Sequence, residues 1–203
     1  MSGAGTPDFF YREAQRLGYV ARSAFKVACQ SLGPLKNGGA VVGIDLKKVK
    51  VPPLYCDSRV QTVCADVMKL PKNQVRALSP RQKGFSVVLS DMCPLVSGIT
   101  TRDAALSAEL GMQALGLAVG RAATAHLDEI RTDRLLNDSV CTADDNGILQ
   151  PGGHLVIKLL ESEDNKEFSR ICKPLFRKAS WLRPKATRSS SREIYLICQG
   201  LLS

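Results

Sequence analysis

Short apolar runs that end in turn-forming or acidic residues recur along this chain. Three of them lie in its first half: residues 40–45, 60–64 and 85–89. A fourth run, residues 154–160, follows the turn formers Pro151, Gly152 and Gly153. A buried run of about four to eight apolar residues with such boundaries is typical of a strand in a parallel sheet. The pattern therefore predicts four such strands.

Helical periodicity lies between and around these runs. It predicts helices over residues 8–32, 71–78, 102–125 and 163–178. Two further strands are predicted over residues 181–187 and 193–199, and residues 128–150 have no periodicity and are predicted to be an irregular excursion. Strands that alternate with helices predict the α/β class, here as one doubly wound domain over residues 1–203.

An acidic residue lies at or just beyond the end of each of the first three strands. Asp91 follows residues 85–89, and ligands of open α/β sheets bind beyond the carboxyl ends of the strands. Alternatively, Ser90 and Asp91 only form a turn in which the carboxylate caps its own backbone. Asp45 and Asp66 end the two earlier strands, where an acid commonly binds the ribose hydroxyls of a nucleotide. Because no glycine-rich turn follows a strand before Asp45, these two acids support a nucleotide site only weakly.

Lys158 interrupts the apolar run 154–160. A lysine inside such a strand either buries its ammonium group, which lowers its pKa, or extends to the surface from the end of the strand. A pKa lowered from about 10.4 towards about 7–8 would make the amine a usable general base. Glu193 opens the last predicted strand, and its simplest role is an ion pair with Arg192 or Lys185.

The charge of the chain favours an anionic partner. Its 203 residues carry a net charge of +9, and residues 166–193 hold nine Lys or Arg against two Glu. Nucleic acid is the usual partner of such a segment, because each neutralised phosphate releases counterions. No apolar run approaches the ~20 residues that span a bilayer, and the first residues resemble no signal peptide. Seven cysteines without a CxxC motif indicate reduced thiols in an intracellular compartment and no structural zinc.

Four ordered motifs resemble those of one enzyme family. They are YREAQRLGYVARSAFK, VVLSDMCPLVSGITTRD, LQPGGHLVIKLLESED and RPKATRSSSREIYLICQG. Together they make residues 10–200 similar to the FtsJ (RrmJ-type) ribosomal RNA ribose 2'-O-methyltransferases. The resemblance implies a single Rossmann-like methyltransferase domain with a mostly parallel sheet. It also implies S-adenosylmethionine as cofactor and ribosomal RNA as partner. Beside the resemblance, we expect a monomer that needs neither a metal nor a membrane.

The family carries a Lys–Asp–Lys–Glu tetrad. The matching residues in this chain are Lys26, Asp91, Lys158 and Glu193. The resemblance implies that Lys158 accepts the proton of a ribose 2'-hydroxyl and that Asp91 holds Lys158. Lys26 and Glu193 would then orient the nucleoside and tune Lys158.

The same resemblance implies three contacts to the cofactor. Asp45 matches the acid that binds the ribose of the cofactor, and Asp66 matches the acid that contacts the adenine amine. Asp91 would contact the amine of the methionine part.

One departure from the family concerns the segment that cradles the cofactor. In the family, the AFK motif leads through a helix and a turn into the first strand, which ends in a glycine-rich loop. Here Val27 follows Lys26 directly, so a strand–turn–helix segment of roughly thirty residues is missing. The sequence thus predicts a sheet without its first central strand and a chain that binds its cofactor poorly.

Three explanations of this departure are open: a gene-model error, an inactive relative, or a rearranged sheet. The otherwise intact motifs favour the first. The alternative function, from a different class, is RNA binding or ribosome assembly without catalysis.

Overall fold

The computed structural model describes residues 32, 34–49, 56–120, 146–183 and 190–202. The chain divides into two compact units, Met1–Leu70 and Pro71–Ser203. All but the last residue of the helix predicted over residues 8–32 and most of the predicted irregular excursion lie outside the described residues. A single domain over residues 1–203 stays a prediction. Within the described part of the chain, no helix is both long and apolar enough to cross a bilayer.

Two short parallel strands form the sheet of the first unit. They are β1, Val41–Asp45, and β2, Val60–Cys64, and they confirm the strands predicted over residues 40–45 and 60–64. Val41 pairs with Val60, and Asp45 pairs with Cys64. Because the strands are parallel and in register, their carboxyl ends lie at the same edge.

Arg59 ties the turn before β2 to the segment before β1. Its guanidinium forms an ion pair with Asp57, with Nη2 and Oδ2 2.7 Å apart, and it donates to the carbonyl oxygens of Pro34 and Gly38. The side-chain hydrogen bond from Arg59 lowers the pKa of Asp57 to about 2. This set of contacts fixes the turn from which β2 starts.

A mixed four-stranded sheet forms the second unit. Its strands are β3, Phe85–Ser90; β4, Leu149–Leu160; β5, Phe176–Leu182; and β6, Glu193–Leu201. The spatial order is β3–β4–β6–β5, with β3 and β4 parallel and β6 antiparallel to both of its neighbours. The helices are α1, Lys72–Ala77; α2, Thr100–Val119; and α3, Asn165–Cys172. This mixture of strands and helices is consistent with a Rossmann-like methyltransferase fold.

The core of the second unit contains side chains of the sheet and of the helices α2 and α3. Leu155 and Ile157 of β4 are fully buried in it, together with Leu115 of α2 and Leu196 of β6. Each such side chain contributes about 1.5–3 kcal/mol by burial. Because side chains alternate along a strand, Lys158 of β4 points to the face opposite to Ile157.

Two elements begin or end away from their predicted bounds. Helix α2 ends at Val119 and not at residue 125, because Gly120 has a φ of +71°, which glycine adopts without steric cost. Strand β4 begins at Leu149 and not at residue 154, and the residues predicted as a tight turn lie within it, where its register with β3 shifts. The early start follows from pairing, since the N–H of Phe85 donates to the carbonyl of Ile148 at 2.8 Å.

The segment after β4 also differs from its prediction. Helix α3 spans Asn165–Cys172 and not residues 163–178, since Pro174 has no N–H with which to continue it. Strand β5 therefore starts at Phe176 instead of residue 181 and pairs Phe176 with Leu201 of β6. The loss of the first central strand stays a prediction, because residues 1–31 lie outside the described part of the chain.

Candidate active site

Asp91 and Lys158 meet at the carboxyl end of the parallel pair β3–β4. Ser90 pairs with Ile157 in the register of the two strands, so the next residue of each strand is a neighbour of the other. The Nζ of Lys158 lies 2.8 Å from Oδ1 of Asp91, which is a charge-assisted hydrogen bond. The structure thus brings together the acid that the sequence placed beyond the end of one strand and the lysine that it placed inside another.

Glu193 completes this cluster from the neighbouring strand. It is the first residue of β6 and pairs with Leu160 of β4. Its Oε1 lies 3.9 Å from Nζ of Lys158. The Lys158 side chain is 10% exposed, whereas those of Asp91 and Glu193 are 31% and 41% exposed. A nearly buried ammonium group therefore faces two carboxylates that are open to solvent.

The charge state of Lys158 differs from the expectation of a lowered pKa. Burial does lower the pKa of Lys158, but the hydrogen bond to Asp91 and the charges of Asp91 and Glu193 outweigh it. The net effect raises the pKa above its ordinary value of 10.5. Of the two alternatives left open by the sequence, burial with a lowered pKa is therefore not what the structure shows, because that alternative considers burial without the two carboxylate partners. In this structure Lys158 is an ammonium group at neutral pH.

A short irregular segment, residues 91–99, joins the cluster to helix α2. Asp103, in the first turn of α2, is 2% exposed and accepts three hydrogen bonds from this segment. The N–H and Oγ of Ser97 donate to its Oδ1 at 2.9 and 2.7 Å, and the N–H of Gly98 donates to its Oδ2 at 3.1 Å. The Ser97 hydrogen bonds lower the pKa of Asp103. An ionised Asp103 thus anchors the segment that starts at Asp91.

Cys93 lies in the same segment, two residues after Asp91. Partial burial raises the pKa of its thiol, while the positive charge of Lys158 acts in the opposite direction. The thiol is therefore neutral at physiological pH. A neutral thiol near Lys158 adds no charge to the site.

The other two predicted acids lie in the first unit. Asp45 ends β1, and Asp66 follows β2. The N–H of Lys47 donates to Oδ1 of Asp45 at 2.8 Å, and the N–H of Met68 donates to Oδ1 of Asp66 at 3.0 Å. Both carboxylates thus cap their own turns at the same edge of the strand pair. Asp45 is exposed and Asp66 is half-buried.

The predicted fourth member of the tetrad, Lys26, lies outside the described residues. Its place in the site stays a prediction. Among the described residues, no group of three or more His, Cys, Asp and Glu side chains has the arrangement of a metal site.

A sequence model of the FtsJ-like methyltransferase family matches residues 23–201. The chain belongs to the FtsJ-like methyltransferase family. The matched residues include the cluster of Asp91, Lys158 and Glu193 and the two predicted cofactor-binding acids, Asp45 and Asp66.

Relatives in bacteria carry the name ribosomal RNA large subunit methyltransferase E. The protein of Desulfosudis oleivorans is 28% identical over 221 positions, covering 96% of this chain and 91% of its own length. The protein of Syntrophobacter fumaroxidans is 33% identical, covering 89% of this chain and 74% of its own length. The first alignment is longer than the 203 residues of this chain, so the relative has residues without a counterpart here.

One solved structure has the same fold. It is the crystal structure of a candidate ribosomal RNA methyltransferase from Plasmodium falciparum, with a TM-score of 0.53 at 19% identity. The match covers 80% of this chain and 72% of the other. At this identity the likeness concerns the fold alone.

Two features of this FtsJ-like site are not expected from the sequence. The sequence pattern indicates Asp103 only as part of a helix, although an acid in the first turn of a helix is a recognised anchor. Glu161 and Arg183, which form an ion pair with Nη1 and Oε2 2.7 Å apart, lie in segments distant in sequence. No local pattern indicates such a pair.

Proposed function

We propose that this chain transfers the methyl group of S-adenosylmethionine to a ribose 2'-hydroxyl of ribosomal RNA. The observation that carries the proposal is the cluster of Asp91, Lys158 and Glu193, with Asp91 2.8 Å from the Lys158 ammonium group. This cluster lies in a chain of the FtsJ-like methyltransferase family. The names of its relatives support ribosomal RNA as the substrate.

Lys158 would act as the general base. Its Nζ takes the proton of the 2'-hydroxyl as the hydroxyl oxygen acquires the methyl group. For this step Lys158 must first be neutral, although Asp91 and Glu193 favour its charged form. A further positive charge close to Lys158 favours the neutral amine. The resemblance to the family implies that Lys26 would supply one such charge.

Asp91 and Glu193 would position the reacting groups. Asp91 fixes the direction of the Lys158 amine through a short hydrogen bond, and Glu193 restricts the movement of this amine from the side of β6. Correct positioning of two reactants contributes up to about 7–11 kcal/mol to the lowering of a barrier. The anchoring of residues 91–99 by Asp103 keeps Asp91 in this place.

The described residues suit the chemistry of S-adenosylmethionine, which supplies a methyl group on a positively charged sulfur. Asp91 is partly exposed, and its carboxylate suits an ammonium group such as that of an amino acid. The exposed carboxylate of Asp45 suits the two hydroxyls of a ribose. The hydroxyl of Ser90, beside Asp91, is buried and has no hydrogen-bond partner among the described residues, so a polar group of a ligand would satisfy it.

Two measurements test this function. Isothermal titration calorimetry with S-adenosylmethionine should give heat that Asp45→Ala reduces. Transfer of a labelled methyl group to ribosomal RNA should then depend on Lys158. Two results would show that the 2'-hydroxyl is the acceptor. The phosphodiester bond that follows the labelled nucleotide should resist alkaline hydrolysis, and a substrate with 2'-deoxyribose at the target should not be methylated.

The alternative is an RNA-binding relative without catalysis. Two observations favour it: the relative in Desulfosudis oleivorans has residues without a counterpart here, and the sequence predicts that the glycine-rich segment that cradles the cofactor is missing from this chain. RNA binding without heat from millimolar S-adenosylmethionine would establish this alternative and refute the enzymatic proposal.

A further inference from the structure

Two arginines are fixed beside the cluster of Asp91, Lys158 and Glu193 by one glutamate. Nη1 of Arg183 lies 2.7 Å from Oε2 of Glu161, and its Nη2 donates to the carbonyl oxygen of Ser191. Arg192 donates from its Nη2 to the carbonyl oxygen of Glu161. These hydrogen bonds use two of the five N–H groups of Arg183 and one of those of Arg192. Both guanidinium groups are thus oriented while retaining donors.

The backbone places this arginine pair at the same end of the sheet as Lys158. The N–H of Glu161 donates to the carbonyl of Arg192 at 2.7 Å, directly beyond the pairing of Leu160 with Glu193. Arg192 is the residue before Glu193, and Glu161 directly follows the last residue of β4. The arginine pair therefore flanks the point at which β4 ends and β6 begins.

The charges of the described residues favour an anion here. Lys158 stands against the two carboxylates of Asp91 and Glu193, so this cluster has one excess negative charge and does not attract a phosphate. Beside this cluster, the two positive charges of Arg183 and Arg192 and the one negative charge of Glu161 leave one excess positive charge. Guanidinium groups bind phosphate through paired N–H donors, and a preset orientation lowers the entropy lost on binding.

We propose that Arg183 and Arg192, oriented by Glu161, form a phosphate subsite for the nucleotide next to the ribose that is placed on Lys158. The inference rests on the proposed function, in that it takes RNA as the substrate. The subsite would hold the RNA backbone and read no base, because contacts to phosphate carry no sequence information. RNA is anionic along its whole length, and the cluster of Asp91, Lys158 and Glu193 has an excess negative charge. The subsite would therefore hold the RNA in a fixed position on a cluster that does not itself attract it.

The test is the salt dependence of RNA binding by the full chain. The probe is a short fluorescein-labelled RNA of mixed sequence, and the dissociation constant is measured by fluorescence anisotropy between about 50 and 200 mM salt. The double variant Arg183→Gln/Arg192→Gln should raise the Kd about tenfold. The slope of log Kd against log salt should fall by about 0.7–0.9 for each phosphate that the variant no longer binds.

Arg177→Gln is the matched control. Arg177 lies near the opposite end of β5, beside Gly200, and loses the same charge on substitution. Its Kd and salt slope should stay at the wild-type values. Arg192→Lys should keep most of the salt slope, because the charge remains, while its affinity falls because the paired donors are absent.

Three results would overturn the subsite. One is a double variant with the wild-type Kd and slope, and another is an equal loss of affinity in Arg177→Gln, which would indicate a diffuse basic surface. The third is a fall of kcat at saturating RNA with unchanged Kd and slope, which would mean that the arginines only position Glu193. Binding is measured without S-adenosylmethionine, so an absence of methyl transfer by the wild type would refute the proposed function without affecting this test.

Discussion

Replacing Lys158 with arginine separates the charge of this side chain from its ability to release a proton. The guanidinium keeps a positive charge beside Asp91 but does not deprotonate in proteins. General acid–base catalysis contributes about 10²–10⁴-fold to a rate, which is about 3–5 kcal/mol of activation free energy. We therefore expect Lys158→Arg to reduce the single-turnover rate of methyl transfer by this factor while its affinity for S-adenosylmethionine changes little.

Lys158→Met is the companion variant, because it removes the charge and keeps the apolar volume of the side chain. Asp91 and Glu193 are 31% and 41% exposed and remain hydrated without Lys158. The loss of such partly exposed pairs costs about 1 kcal/mol or less, so thermal unfolding should give a Tm within a few degrees of the wild type. A wild-type rate in Lys158→Arg, with a normal Tm, would refute Lys158 as the base.

Three further predictions concern charge and packing. Asp91→Asn removes the main group that raises the pKa of Lys158. The part of the pH–rate profile in which the rate rises with pH should therefore move to lower pH. If it does not move, the titrating group is not Lys158. Asp103→Asn should lower the Tm at neutral pH. This difference should shrink as the pH falls below 3.8, because a lowered carboxyl pKa stabilises the fold only while the group is ionised; a difference independent of pH would contradict the ionised anchor. In helix α2, Gly116→Ala should stabilise by about 0.5–1 kcal/mol, since its Cβ meets no atom within 4 Å. Gly111→Ala should destabilise by about 1–3 kcal/mol, since its Cβ would lie 2.7 Å from a β4 side chain, and chemical denaturation that ranks the two variants the other way would contradict this packing.

The strands of the first unit and β3 were predictable because their limits are local. Residues 60–64 form β2 as predicted, and β3 exceeds its predicted range only by Ser90. By contrast, β4 begins at Leu149 because residues around Phe85 supply pairing partners. β5 begins early for the same kind of reason, since Phe176 pairs with Leu201. Pairing between distant segments leaves no periodic signal in either one.

The candidate site was predictable in its positions but not in its electrostatics. Strand ends and an apolar run interrupted by a lysine indicated Asp91 and Lys158 from the sequence. The sign of the pKa shift of Lys158 depends on the 2.8 Å distance to Asp91 and on the burial of the amine. These two effects are opposed, and which is larger depends on distances to Asp91 and Glu193 that the sequence does not contain. The same holds for the arginine pair, whose fixed orientation depends on Glu161.

The pH dependence of methyl transfer should change when the cofactor binds. The pKa of Lys158 is raised in the free protein, but Lys158 must be neutral to act as the proposed base. The described cluster holds Lys158 charged through Asp91 and Glu193. A bound sulfonium cation would favour the neutral amine, whereas RNA phosphates would favour the ammonium form. The pH dependence of kcat/KM for S-adenosylmethionine reports the groups of the protein before this cofactor binds, and that of kcat reports those of the complete complex. Both should rise with pH, and the limb of kcat should lie at lower pH. The measurement is a pair of pH profiles of methyl transfer at saturating RNA, with Lys158→Arg as the control that should lack the limb. Coincident limbs would show that the charge of the cofactor does not reach Lys158, whereas a limb retained in Lys158→Arg would show that another group is the base.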